Sequence, residues 1–164
     1  MTKISLFAAA AVLATASAAH AGGSAGTFGV GAEYQLSGIG GISGNYDAGK
    51  FHAGLAIGFI DPTGPNNTEF DLVGRFFYHV ASTATADFSL GGSLGFQSIP
   101  DAANANKRDS NVFIEPGFQI RVFVASNVAF SFTGGITIGV ADADGVAITG
   151  QGLDGTAGVH YYFF

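Results

Sequence analysis

Alternation of period two runs through almost the whole chain after residue 27, and the 3.6-residue period of an amphipathic helix is nowhere sustained. Residues 27–36 set Phe28, Val30, Ala32, Tyr34 and Leu36 against Glu33 and Gln35. Residues 50–60 set Phe51, Ala53, Leu55, Ile57 and Phe59 against Lys50 and His52. In 69–80, Phe70, Leu72, Phe76, Tyr78 and Val80 oppose Asp71, Arg75 and His79. In 86–96, Phe88, Leu90, Leu94 and Phe96 oppose Asp87, Ser89 and Ser93, with Gln97 continuing the polar face. Residues 112–124 place Ile114, Phe118, Ile120 and Val122 opposite Glu115, Gln119 and Arg121, and 128–140 place Phe130, Phe132, Ile136 and Ile138 opposite Ser131, Thr133 and Thr137. Residues 153–163 place Leu153, Val159, Tyr161 and Phe163 opposite Asp154, Thr156 and His160. The pattern predicts seven strands, each with one face free of charge.

A soluble β-sandwich alternates in the same way. The density of Phe, Leu, Ile and Val on the charge-free faces argues instead for faces turned to lipid. Bacterial single-chain barrels of that kind have an even number of strands. Residues 38–46, with Ile39, Ile42 and Tyr46, are the candidate for the eighth. Short turns at 47–49, 81–84 and 125–127 interleave with longer connections at 61–67, 98–110 and 141–150, as periplasmic turns interleave with external loops. The connection around Ser37 is shorter than that rhythm asks. Pro116 falls on an apolar face, where it removes a ladder hydrogen bond, so a bulge there or a strand beginning at Gly117 is expected. The expected fold is all-β: a single eight-stranded antiparallel up-and-down transmembrane barrel.

Both ends of the chain bear on this reading. Residues 1–21 carry Lys3, an apolar run over 4–14 and Ala19-His20-Ala21 before Gly22, the layout of a cleaved secretory signal. The run is too short for a bilayer, which takes about 20 apolar residues. The expected organisation is therefore a signal peptide at 1–21 and a barrel domain at 22–164. The last stretch, Thr156-Ala157-Gly158-Val159-His160-Tyr161-Tyr162-Phe163-Phe164, reads polar-x-Gly-x-x-aromatic-x-aromatic with one residue overhanging. It resembles the assembly signal of bacterial outer-membrane barrels at Thr156, Gly158, Tyr161 and Phe163. Parity turns Tyr161 and Phe163 outward, because the opposite register sends Asp154 and His160 towards lipid.

Composition narrows the classes further. There is no cysteine to staple an exported chain, and no later segment holds 18 apolar residues in a row. With Lys3 set aside, 5 basic residues face 12 acidic ones, which argues against a nucleic-acid partner.

Chemistry is sparse. His52, His79 and His160 are followed two positions on by Gly54, Ala81 and Tyr162, so the His-x-Ser pair of the lipid A deacylase barrels is missing. Asp142-Ala143-Asp144-Gly145 lacks the third acidic position and the later glutamate of a calcium loop. No catalytic residue, metal ligand or cofactor is assigned, and the chain is read as a non-enzyme. Lys107-Arg108-Asp109 reads as an external loop tip that could face lipopolysaccharide phosphates. The inward charges form the candidate site. Glu33, Arg75 and Glu115 fall near mid-height, while His79 and Asp87 flank one short turn. An eight-stranded interior is just wide enough for its own side chains, so these charges must pair. The expectation is a salt-bridged plug with Arg75 beside Glu33 or Glu115.

On the terminal motif, the alternation and the turn rhythm, the chain from residue 22 onward resembles the small eight-stranded outer-membrane barrels of the OmpA/OmpX and opacity-protein group. That resemblance implies an outer-membrane location, a bed of outer-membrane lipid and lipopolysaccharide, and insertion by the barrel-assembly machinery. It also implies a monomer with a structural, adhesive or surface-contact role, including host or surface ligands met through external loops. Two alternatives stay open: a narrow porin-like channel or carrier for small solutes, and a soluble periplasmic β-sandwich binding protein.

Overall fold

The computed structural model describes residues 25–35, 40–64, 66–101, 104, 107–141 and 149–163. They form eight strands: β1 (Thr27–Gln35), β2 (Gly40–Asp47), β3 (Phe51–Ile60), β4 (Glu69–Ser82), β5 (Ala86–Pro100), β6 (Arg108–Ala125), β7 (Val128–Ala141) and β8 (Thr149–Phe163). Each strand pairs antiparallel with the next, and β1 pairs with β8, so the sheet closes on itself. Closure leaves no sheet edge and overturns the sandwich alternative. The expected signal segment, the 142–148 acidic loop, Leu36 and Phe164 lie outside the described residues.

The strands run longer than alternation alone suggests on one side of the barrel. β5 and β6 extend to the pair Pro100↔Arg108, into residues expected as loop. Arg108 explains the extension: Nε donates to Ser98 Oγ at 2.9 Å, and Nη2 donates to the Ser98 and Thr68 carbonyls at 2.9 and 2.7 Å. β2 starts at Gly40; Gly38 and Ile39, expected within it, lie outside the described residues. Pro116 neither bulges the strand nor starts it. β6 runs straight through, with Pro116 opposite Gly92 on β5, and the cost is confined to the β7 side, where Glu115 and Pro116 have no ladder partner. The register shifts of β6 fall elsewhere, at Val112/Phe113 and Phe123/Ala125.

Short turns close one end of the barrel. Between β2 and β3, Gly49 adopts φ 86°, in the left-handed region, and its N–H donates to Asp47 Oδ1 at 2.8 Å. Between β4 and β5, Thr83 Oγ1 accepts from the Ala86 N–H at 3.0 Å.

The polarity of the molecule is inverted relative to a soluble protein. Phe28, Val30, Ile42, Leu55, Phe76, Leu90, Phe118, Phe132 and Ile136 are all exposed on the outer wall. Glu33, Asp47, His52, Asp71, Arg75, Asp87, Glu115, Gln119, Arg121 and His160 are buried inside. Outward aromatics pair across strands, Phe28 with Tyr46 at 4.8 Å and Phe51 with Phe76 at 5.1 Å between ring centroids. Phe76, Phe118 and Phe132 lie at mid-wall, and others form two zones nearer the ends. Phe28, Tyr46, Phe51, Tyr78, Tyr161 and Phe163 lie towards the turns, and Tyr34, Phe59, Phe70 and Phe96 towards the other end.

Candidate functional site: the barrel interior and the terminal strand

Glycines set beside inward charges let an eight-stranded interior hold charged side chains at all. Glu33 sits in a row between Gly41 on β2 and Gly158 on β8. Arg75 lies over Gly54, where an added Cβ would press on its Cγ at 3.1 Å. Glu115 lies against Gly135, where an added Cβ would come within 2.7 Å of its Cγ. Each charge thus occupies volume that a neighbouring glycine gives up.

The five residues expected to form one inward cluster separate into three groups. Arg75 pairs with Glu33, both almost wholly buried. Glu33 also lies 3.1 Å from His160 Nε2. Glu115 takes no part in that pair; it accepts a hydrogen bond from Thr137 Oγ1 at 3.2 Å. The alternative in which Arg75 pairs with Glu115 is therefore corrected. The reason is register: Arg75 faces Ser93 on β5, one strand short of Glu115, and its guanidinium turns the other way, over Gly54.

His79 and Asp87 meet through a third residue. Arg121 Nη2 donates to Asp87 Oδ2 at 2.7 Å and to His79 Nε2 at 3.1 Å, and ion-pairs with Asp47 Oδ2 at 2.7 Å. Its Nη1 donates to the Tyr162 hydroxyl at 3.1 Å. His79 Nδ1 lies 3.0 Å from the Gly49 carbonyl, which can only accept. We therefore assign the His79 proton to Nδ1, leaving the single Nε2 lone pair to accept from Arg121, with His52 Nδ1 2.8 Å from the same nitrogen. Phe123 and Tyr162 flank the same guanidinium, 5.4 and 5.9 Å from ring centre to carbon.

Arg121, Asp47, His52, His160 and Tyr162 are the members that the sequence reading did not place in the cluster. Parity already set Arg121, His52 and His160 inward. Asp47 was read as a turn residue and is the last residue of β2.

Ser43, His160 and Glu33 meet in the interior, an arrangement that invites comparison with a catalytic triad. Ser43 Oγ lies 2.6 Å and Glu33 Oε1 3.1 Å from the same ring nitrogen, Nε2. A relay needs the serine on one ring nitrogen and the carboxylate on the other. With a carboxylate against it, Nε2 carries the proton and cannot take one from Ser43. The trio is a hydrogen-bonded brace. The cavity between Glu33, Asp71 and Arg75 measures about 10 Å³, about the size of one water.

On the terminal strand, Val159, Tyr161 and Phe163 are exposed while His160 and Tyr162 are buried. Thr156 pairs with Gln35 and Gly158 with Glu33 across the β1–β8 seam.

Neither a protein-family model nor a curated protein matches the sequence. Among solved structures, the chain is similar to the N-terminal β-barrel domain of Pseudomonas aeruginosa OprF, at 13% identity and TM-score 0.60, over 84% of this chain and 96% of that one. It is also similar to Neisserial surface protein A, at 13% identity and TM-score 0.48, over 84% of this chain and 94% of that one. The closed antiparallel ladder and the OprF likeness together give the conclusion: this chain has the fold of the small eight-stranded outer-membrane β-barrels.

Proposed function

We propose that the chain is an integral outer-membrane protein, non-enzymatic and monomeric, with a structural or surface-contact role. One observation carries the reading: a closed wall of exposed apolar and aromatic side chains around an interior of charges. Monomeric soluble proteins rarely expose apolar patches beyond a few hundred Å², whereas a lipid-facing band flanked by aromatic girdles is the outer surface of a membrane barrel. The wall would be bedded in outer-membrane lipid and lipopolysaccharide. Insertion would fall to the barrel-assembly machinery, reading Thr156, Gly158, Tyr161 and Phe163. Surface ligands would be met by the connections at the end opposite the short turns, where Lys107 lies. The interior favours a plug over a channel, since Arg75 and Arg121 are ion-paired within it and the cavity between Glu33, Asp71 and Arg75 is water-sized.

The test is membrane fractionation followed by electrophoresis with and without heating. The protein is expected in the detergent-extracted outer-membrane fraction, with a gel mobility that changes on boiling as the closed barrel opens. Recovery in the aqueous periplasmic fraction would overturn the reading.

A further inference from the structure

The shortest ladders of the barrel lie side by side. Among the described residues, β1 has eight paired positions with β8 and eight with β2, and β2 has seven with β3, against fifteen between β5 and β6. This stretch contains the seam where the first and last strands meet.

Inside the barrel, the same stretch carries bonds that pass over a strand. Gly31 on β1 stands between Ser43 on β2 and His160 on β8 in one row, and Gly29 stands between Asn45 and Tyr162 in the next inward row. Ser43 Oγ and His160 Nε2 meet at 2.6 Å across Gly31. Asn45 and Tyr162 flank Gly29 in the same way. The two glycines leave the room that these side chains occupy. An added Cβ at Gly29 would meet the Tyr162 ring at 2.9 Å, and one at Gly31 would meet His160 Cδ2 at 2.8 Å and collide with the Val159 carbonyl. A second tie joins Asp47 of β2 to Arg121 of β6. Two inward polar side chains of β2 thus bond to strands that are not its neighbours.

We infer that the Ser43–His160 bond forms a polar clasp over β1 that holds the barrel's closing seam shut. The clasp ties β2 to β8 directly, so β1 cannot part from either neighbour without breaking a bond buried in the interior, where it is stronger than in water. β8 then has two separate faces. Tyr161 and Phe163 point out towards the surroundings, while His160 locks the strand in place from within. The inference depends on the barrel fold alone and not on where the barrel resides.

Hydrogen exchange read by mass spectrometry on the barrel folded in detergent tests it. In Ser43→Ala, amides of β1 and β8 are expected to exchange about five-fold faster, as befits the loss of one buried hydrogen bond. The β5 and β6 amides are expected to keep their rates. Gln119→Ala is the control: it deletes a buried bond, to Thr133 at 3.1 Å, between strands that already pair along a long ladder, and is expected to spare the seam. Should Ser43→Ala not fold, Ser43→Cys keeps the volume, weakens the bond to His160 and supports the same comparison. Unchanged seam rates, or an equal rise over all eight strands, would overturn the clasp.

Discussion

At the scale of single residues, inversion of polarity makes neighbouring positions opposite in their tolerance. Phe118 is 42% exposed on the outer wall, and Gln119 beside it is 2% exposed and bonded inside. With lipid around the wall, Phe118→Arg is expected to cost about 2–4 kcal/mol near the bilayer midplane, and Phe118→Leu little. Urea unfolding in lipid vesicles measures the difference; equal stability of the two would turn the wall away from lipid. Arg75 gives the converse case. Removing it strands Glu33, a loss of roughly 3–5 kcal/mol for a buried pair deprived of one partner. The double variant Arg75→Ala/Glu33→Ala is expected to regain part of that loss, and strictly additive losses would dissolve the pairing. Parity had already placed both side chains inward, because Glu33 and Arg75 share the face opposite Phe28 and Phe76. Which acid Arg75 would choose was not legible. Glu33 and Glu115 are equally inward by alternation, and only the register of four strands shows that the guanidinium leans over Gly54.

At the scale of strands, alternation placed seven of the eight elements because one face of each carries no charge, and period two is the strongest signal such a chain can give. β2 was the hard case for a physical reason. Gly40, Gly41 and Gly44 leave Ile42 and Tyr46 as its only large outward side chains, so the alternation thins out. Strand ends were misplaced where pairing, not hydrophobicity, extends the ladder, as Arg108 does for β5 and β6. The inward aromatics Phe77, Phe123 and Tyr162 also run against a simple polar-in rule. Phe77 stacks on His52 at 5.5 Å, and the other two flank Arg121. Glycine likewise has two meanings along these strands. A Cβ at Gly91 would collide with the Phe76 carbonyl, whereas one at Gly44 meets nothing closer than 3.8 Å. Gly44→Ala is therefore expected to gain about 0.5–1 kcal/mol by relieving the entropic cost of a strand glycine. Gly91→Ala is expected to lose stability, and unfolding midpoints of the two variants read the contrast.

At the scale of the whole molecule, the two ends of the barrel differ enough to predict how it stands in a membrane. The end with the short turns carries Lys50, and the other end carries Lys107 and Arg108 beyond the β5–β6 hairpin. Arg75 and Arg121 are buried between them. If the turns face the periplasm, trypsin added to intact cells meets only the Lys107 and Arg108 bonds among the described residues. Three hydrogen bonds hold the Arg108 guanidinium against Ser98 and Thr68, while Lys107 stands exposed before it, so the first cut is expected after Lys107. The β1–β8 ladder should then keep the two halves together until the sample is boiled, since a nick in one connection leaves every strand pair in place. Mass spectrometry of the boiled fragments checks the cleavage position. Cutting after Lys50 in intact cells, with Lys107 spared, would mean that the barrel is inserted the other way up.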